Sequence, residues 1–239
     1  MLYLRAFVLI VSTHSGFRPH HSTESILIKM TDELDAMDQG LFTGAIFLHL
    51  RKAFDVVNHE LLVAKLQMYG CSSSALLWFK SYLSKHRQCL YIARTSSDTE
   101  VLRPRFPQGS IMGPVLFLLF INDLPLIWKN RNDLFTNDAT FYASASNLID
   151  VQVQLQRDLS NTATWTKDHG MAAHPQKTKY MITGTRQKHS RCEECALSLC
   201  LDGRQLEQTQ EERLLGLDID RPLPIMGKTT IARCCSGSH

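Results

Sequence analysis

The feature that most constrains this chain is a short apolar run, Ala45-Ile46-Phe47-Leu48-His49-Leu50, interrupted only by one histidine. Its length and the glycines before it, Gly40 and Gly44, favour a strand over a helix. Continuous rather than alternating apolarity means burial on both faces, so the strand belongs inside a sheet. The chain then turns polar at Arg51-Lys52 and carries Ala53-Phe54-Asp55, which places charged groups at the strand's end.

The elements around this strand mix types. A helix is predicted over 23–38, with Ser22 as cap, Ile26, Met30, Leu34 and Met37 at helical spacing, and Gly40 beyond its end. Two more are predicted over 59–69 and 72–83. Strands over 88–93 and 99–106 flank a Ser-Ser-Asp turn. A strongly apolar helix is expected from Pro114 to Trp128, ended or kinked at Pro125. Residues 134–144 read as a hairpin centred on Asn137-Asp138. Asn147 caps a long helix reaching Asp168, with Leu148, Val151, Leu155 and Leu159 on one face. Short strands follow near 179–183, 196–201 and 214–219, with a turn at Asp202-Gly203. Strands and helices do not alternate evenly, so the expected class is α+β, an antiparallel sheet packed on helices.

Composition limits the functions available. Hydrophobic residues make up 44% and charged residues 21% of 239, enough for a packed core. A net charge of +3 permits nucleic-acid binding without arguing for it. The seven cysteines form no even framework. That pattern suggests a reducing, intracellular setting, cytoplasm or nucleus, and no secretion. Cys192 and Cys195 form one C-x-x-C with Cys200 beyond it, but a second pair at zinc spacing is missing. Leu2–Val11 is apolar apart from Arg5 and too short to span a membrane. It is expected to be a leader rather than a signal peptide.

Nucleotidyl transfer needs two divalent metals about 3.5–4 Å apart on carboxylate ligands. One strand-end acid and an acidic pair at a neighbouring hairpin tip build such a site. Both scaffolds occur here, one ending in His49 and the other in Phe135-Thr136-Asn137-Asp138. Between them lies Pro107-Gln108-Gly109-Ser110-Ile111-Met112-Gly113-Pro114, followed by Leu116 to Pro125. Further blocks are Gly16-Phe17-Arg18-Pro19, Trp78 to Leu83, Pro175-Gln176-Lys177-Thr178-Lys179 and Leu214-Leu215-Gly216. In this order, the blocks resemble the reverse transcriptases of non-LTR retrotransposons over roughly residues 14–220.

The resemblance implies a right-hand polymerase palm with partial fingers. Residues 1–15 would be a divergent leader, 16–220 a partial reverse transcriptase domain, and 221–239 a disordered tail. It implies Mg2+ or Mn2+ as cofactor, an RNA template and a DNA primer as partners, and no membrane. The oligomeric state stays open. Asp138 corresponds to a catalytic metal ligand and Lys177 to the proton-donor lysine, with Lys179 as runner-up. Phe54 matches the aromatic gate against a ribose 2′-hydroxyl. Gln108, Gly109 and Arg18 fall at nucleotide- and template-contacting positions, and Leu215 and Gly216 at the primer grip. Outside these blocks, Arg186, Lys188, His189 and Arg191 form a basic cluster that could meet phosphate backbone.

Two departures from the pattern bear on chemistry. His49 and Asn137 stand where the family carries catalytic Asp residues, so one of three acids remains. The basic finger strands that precede the first block in the family have no counterpart in the leader. The expectation is a reverse transcriptase fold, truncated and degenerate, without polymerase activity. The alternatives are a non-enzymatic nucleic-acid-binding remnant and an active polymerase with altered metal preference.

Overall fold

The computed structural model describes residues 9–16, 41–84, 87–89, 91–92, 95–98, 100–101, 106, 110–183, 196–214 and 217–220. The predicted helix over 23–38, the basic cluster at 186–191, Cys192 and Cys195, and the tail lie outside them.

The predicted central strand is β1 (Phe42–His49), buried along almost its whole length. It pairs antiparallel on one side with β7 (Asp138–Ala145) and on the other with β8 (Lys179–Thr183). β6 (Arg131–Phe135) completes the β7 edge, and the two-residue β11 (Glu207–Gln208) adds in parallel beside β8. The five-stranded order is thus β11-β8-β1-β7-β6. Strand alternation gives the two sides different tasks. Ile46, Phe141 and Tyr180 sit opposite one another on one face; Ala45, Tyr142 and Met181 do so on the other. His49 and Asp138 fall on the second face.

Four helices are described. α1 (His59–Met68) starts at Asn58, whose side chain accepts hydrogen bonds from the Glu60 and Leu61 amides at 3.0 Å. α2 (Ser73–Leu83) is capped by Ser72, which the predicted span counted as helical, and α4 (Leu148–Asp168) by Asn147, as predicted. α4 lies across β1 and β7, and Gly44 makes this possible. A Cβ there would come within 2.6 Å of Leu155 and 2.8 Å of Val151.

α3 (Met112–Ile121) is almost wholly buried, and it differs from the predicted span at both ends. It starts two residues before Pro114 and stops four before Pro125. A helix continuing through Pro125 would set its ring against the Ile121 carbonyl. The chain instead forms a 3-10 turn, Leu124–Ile127.

Other boundaries also moved. The predicted 88–93 and 99–106 strands are short pairs: β2 (Arg87–Gln88) with β5 (Glu100–Val101), and β3 (Tyr91–Ile92) with β4 (Thr95–Ser96). The innermost pair, Ile92 with Thr95, puts Ser96 in a strand rather than in the expected Ser-Ser-Asp turn. The 196–201 strand shrinks to β9 (Cys200–Leu201); before it, the Tyr180 hydroxyl accepts from the Leu197 amide and donates to its carbonyl. Gln152 accepts from the Ser198 amide, and Gln156 both donates to and accepts from the Cys200 backbone. β9 turns through Asp202-Gly203, both at positive φ, into β10 (Arg204–Gln205). The last predicted strand is two, β12 (Glu211–Leu214) and β13 (Leu217–Asp220).

Residues 9–15, set apart from sequence as part of a leader, dock on the sheet and α3. Ser15 N–H donates to the Leu134 carbonyl at 2.9 Å, and Leu134 N–H to the Thr13 carbonyl at 3.0 Å, covering the β6 edge. Asn122, at the end of α3, reads the same segment through both ends of its amide. Oδ1 accepts from Val11 N–H at 2.8 Å, and Nδ2 donates to the Leu9 carbonyl at 2.9 Å.

Candidate active site

The site lies where β1 ends beside the β6–β7 hairpin. His49 pairs directly with Asp138 in the ladder, so their side chains project from the same face. The hairpin tip is Thr136-Asn137, one residue earlier than expected, which makes Asp138 the first residue of β7. Thr136 takes φ +60°, a conformation that suits glycine better than a β-branched residue. Gly16 packs against this turn. The Leu50 amide donates to the Asn137 carbonyl at 3.0 Å and ties the tip to the end of β1.

The side chains at this junction are locked together. His49 Nδ1 donates to Asp138 Oδ1, since an ionised carboxylate can only accept. Asn137 Nδ2 donates to the same oxygen at 3.4 Å. It also lies 3.3 Å from His49 Nδ1, but that nitrogen has no free lone pair while it donates to Asp138. Two N–H groups therefore converge on the carboxylate oxygen that a cation would need.

A second loop supports His49 from behind. His174 N–H donates to the His49 carbonyl at 2.7 Å, and Thr178 Oγ1 accepts from the His49 amide at 3.4 Å. The His49 and His174 rings meet edge to face at 5.9 Å. The motif from Pro175 onward marked this loop in the sequence, but nothing in the sequence singled out His174.

Of the other expected site residues, Phe54 does two things. It lines a pocket of about 240 Å3 with His49, Leu50, Lys52, Ala53, Asp55 and Asn137. Its ring also stacks on Phe117 at 4.2 Å, so the expected gate residue makes a core contact. Lys177 is exposed on the turn following His174 and has no described contact with the His49–Asp138 pair. Arg18, Gln108, Gly109, Leu215 and Gly216 lie outside the described residues; β12 and β13 flank the last two.

A strand-end and hairpin-tip junction of this kind, on an antiparallel sheet backed by helices, is where the resemblance places a polymerase centre. Residues 2–219 match the family model for reverse transcriptase (RNA-dependent DNA polymerase). The chain belongs to the reverse transcriptase family. This bears out the resemblance to non-LTR retrotransposon enzymes, because the similar curated proteins come from mobile elements.

The probable RNA-directed DNA polymerase from transposon BS of Drosophila melanogaster is 28% identical over 231 residues, covering 92% of this chain and 25% of that protein. The RNA-directed DNA polymerase from mobile element jockey of the same species is 24% identical over 217 residues, covering 87% and 23%. The chain thus spans about a quarter of the length of these relatives.

Among solved structures, apo telomerase from Candida tropicalis, truncated from its C-terminal domain, superposes with a TM-score of 0.61 at 13% identity. It matches 92% of this chain and 42% of that one. Telomerase from Candida albicans, in complex with a fragment of telomeric RNA, gives 0.58 at 13% identity, with coverages of 92% and 36%. These likenesses place the chain in the right-hand polymerase fold. No helix among its described residues is long and apolar enough to cross a membrane.

The family generally uses divalent metals, and the donor set here does not fit them. Mg2+ takes oxygen ligands, mostly carboxylates and water. This junction offers an imidazole, an amide whose N–H side faces inward, and one carboxylate already accepting from His49. Among the described residues, no three His, Cys, Asp or Glu side chains are arranged to hold an ion.

Proposed function

We propose that this chain is the palm of a non-LTR retrotransposon reverse transcriptase whose two-metal centre has been dismantled. The family's reaction is RNA-directed DNA polymerisation, on an RNA template and a DNA primer, and this copy does not perform it. One observation carries the reading. His49, at a position where the family has an acid, donates its Nδ1 hydrogen to Asp138, the acid that remains. Asn137 points a second N–H at the same carboxylate. Ligands for Mg2+ or Mn2+ have become a hydrogen-bonded cluster that leaves no cation a full set of oxygens. Since the metals stabilise both the attacking and the leaving oxygen, losing them removes most of the catalytic power.

Primer extension on an RNA template tests this, with Mg2+ and with Mn2+. The wild-type chain, His49→Asp/Asn137→Asp and Asp138→Ala are compared. No extension by wild type is expected in either metal. Extension by wild type that Asp138→Ala abolishes would show a working site with altered ligands and overturn the reading.

A further inference from the structure

We propose that the outer face of α2 is a docking surface for an amphipathic helix of another protein, one whose apolar stripe is flanked by acidic residues. The inference is independent of the His49–Asp138 junction and of any polymerase chemistry.

α2 is apolar on two opposite sides, and the fold buries one of them. Its buried residues are Phe79 and Leu83, four apart. With 3.6 residues per turn, the opposite side carries Ser74, Leu77, Trp78 and Ser81, all of them exposed. Leu77 is 68% exposed and Trp78 53%. The other two tryptophans of the chain, Trp128 and Trp165, lie in the core. The spacing i, i+3, i+4, i+7 is the one by which a helix lays itself against an apolar partner. Here the stripe faces solvent, with a serine at each end that lets a second backbone come close.

The Trp78 ring is held in place. It stacks on Tyr82 at 5.3 Å with the planes 7° apart. The Tyr82 hydroxyl is hydrogen-bonded to Ser110 Oγ, which accepts from the Met112 and Gly113 amides at 3.1 Å where α3 begins. Ile111, next in the chain, is 83% exposed and extends the apolar surface beyond α2. A pre-ordered tryptophan loses little freedom on binding, and such residues anchor protein interfaces.

Charge identifies the partner's chemistry. α2 has no acidic residue, and its Lys80 is exposed. Lys85, Arg87, Arg94, Arg103 and Arg105 follow before α3, against Asp98 and Glu100. The net charge of the whole chain is +3, so the rest of the chain is slightly acidic and this segment favours an acidic partner. Single-stranded nucleic acid is acidic too, but Leu77 and Ile111 offer no ring on which a base can stack, and Tyr82 already covers one face of Trp78. A helix with an apolar stripe and acidic flanks satisfies both the apolar and the basic residues.

The test uses the full chain and fluorescence anisotropy with labelled probes. These are a helical Leu/Glu peptide with leucines at i, i+3, i+4 and i+7, the same peptide with Lys in place of Glu, and oligo(U) RNA. Leu77→Ser, Trp78→Ser and Lys80→Glu are run alongside, each checked for native far-UV circular dichroism. The Leu/Glu peptide should bind wild type and shield tryptophan emission from acrylamide, because Trp78 is the exposed one. Leu77→Ser and Trp78→Ser should each weaken binding by about tenfold or more, and Lys80→Glu by about threefold. Leu77→Ser keeps the Trp78–Tyr82 stack, so it reads the face even where Trp78→Ser disturbs folding. No binding, equal binding of the Leu/Lys peptide, or indifference to Leu77→Ser overturns the proposal. So does displacement of the peptide by oligo(U), which would assign the face to nucleic acid. Self-association of wild type that Leu77→Ser abolishes would assign it to a second copy and overturn the proposal as well.

Discussion

Lys65 and Asp123 meet beneath the palm as a bidentate pair, with Lys65 Nζ 2.7 Å from Asp123 Oδ1 and 2.8 Å from Oδ2. Lys65 Nζ also donates to the Phe120 carbonyl at 2.6 Å, so the pair joins α1 to the end of α3. Trp165 Nε1 donates to Asp123 at 3.3 Å, and His169 Nε2 lies 3.6 Å away, which brings in the end of α4. The partners differ in exposure: 8% of the Lys65 side chain is exposed, against 40% of Asp123.

That asymmetry predicts unequal costs. Asp123→Asn strands a buried ammonium and should lower stability by roughly 2–3 kcal/mol, below the ~3–5 of fully buried pairs because Asp123 is partly hydrated. Lys65→Met leaves a carboxylate that water can reach and should cost less, about 1 kcal/mol. Urea denaturation of both variants checks the order. Equal losses would contradict it.

Acid stability should carry the same signature. Burial alone would raise the Asp123 pKa, but the His169 imidazole beside it and the hydrogen-bonded Lys65 ammonium more than offset it and hold it at about 2, against an ordinary 3.8. A carboxyl lowered on folding stabilises fully above its unfolded pKa and stops doing so as pH falls through the folded value. The contribution therefore fades between about pH 4 and pH 2. Lys65 acts in the opposite sense: desolvation lowers its pKa despite Asp123, so its charged form opposes folding at neutral pH. Stability measured against pH should fall less steeply from 4 to 2 in Asp123→Asn than in wild type.

Gly16 is a contact glycine. A Cβ would come within 2.5 Å of the Thr136 amide nitrogen and 2.8 Å of its Oγ1. The nitrogen is backbone in a turn already at positive φ and cannot step aside cheaply. Gly16→Ala should destabilise by about 1–3 kcal/mol, read as a shift in denaturation midpoint. A neutral result would mean that residues 13–16 do not hold their place against the hairpin.

Asn122→Ala should release the N-terminal segment before it unfolds the domain. The substitution removes the two bonds that hold Leu9 and Val11, on the order of 1–2 kcal/mol. Limited proteolysis should cut near residues 9–12 faster in the variant, with the far-UV spectrum unchanged. Unaltered cleavage would show that the β6 edge alone retains the segment.

Much of the scaffold was legible because it is written in local patterns. The apolar run of β1, the cap at Asn147 and the Asp202-Gly203 turn each depend on neighbours within a few residues. The boundaries that moved answer to distant or steric partners. α3 ends where the Pro125 ring would strike it, and the backbone of Leu197 and Ser198 is taken by side chains of Tyr180 and Gln152 rather than by a strand.

For the site, the sequence by itself determined that the central apolar strand carries His49 near its end and that the hairpin carries Asn137-Asp138. Only the tertiary structure decided how these residues meet. His49 and Asp138 are 89 residues apart and become neighbours through the β1–β7 register. No local rule reveals that the histidine ending β1 will donate a hydrogen bond to Asp138. The same holds for His174 behind His49 and for Asn122 across the N-terminal segment. Hydrogen bonds of this kind depend on geometry that exists only once the sheet has closed.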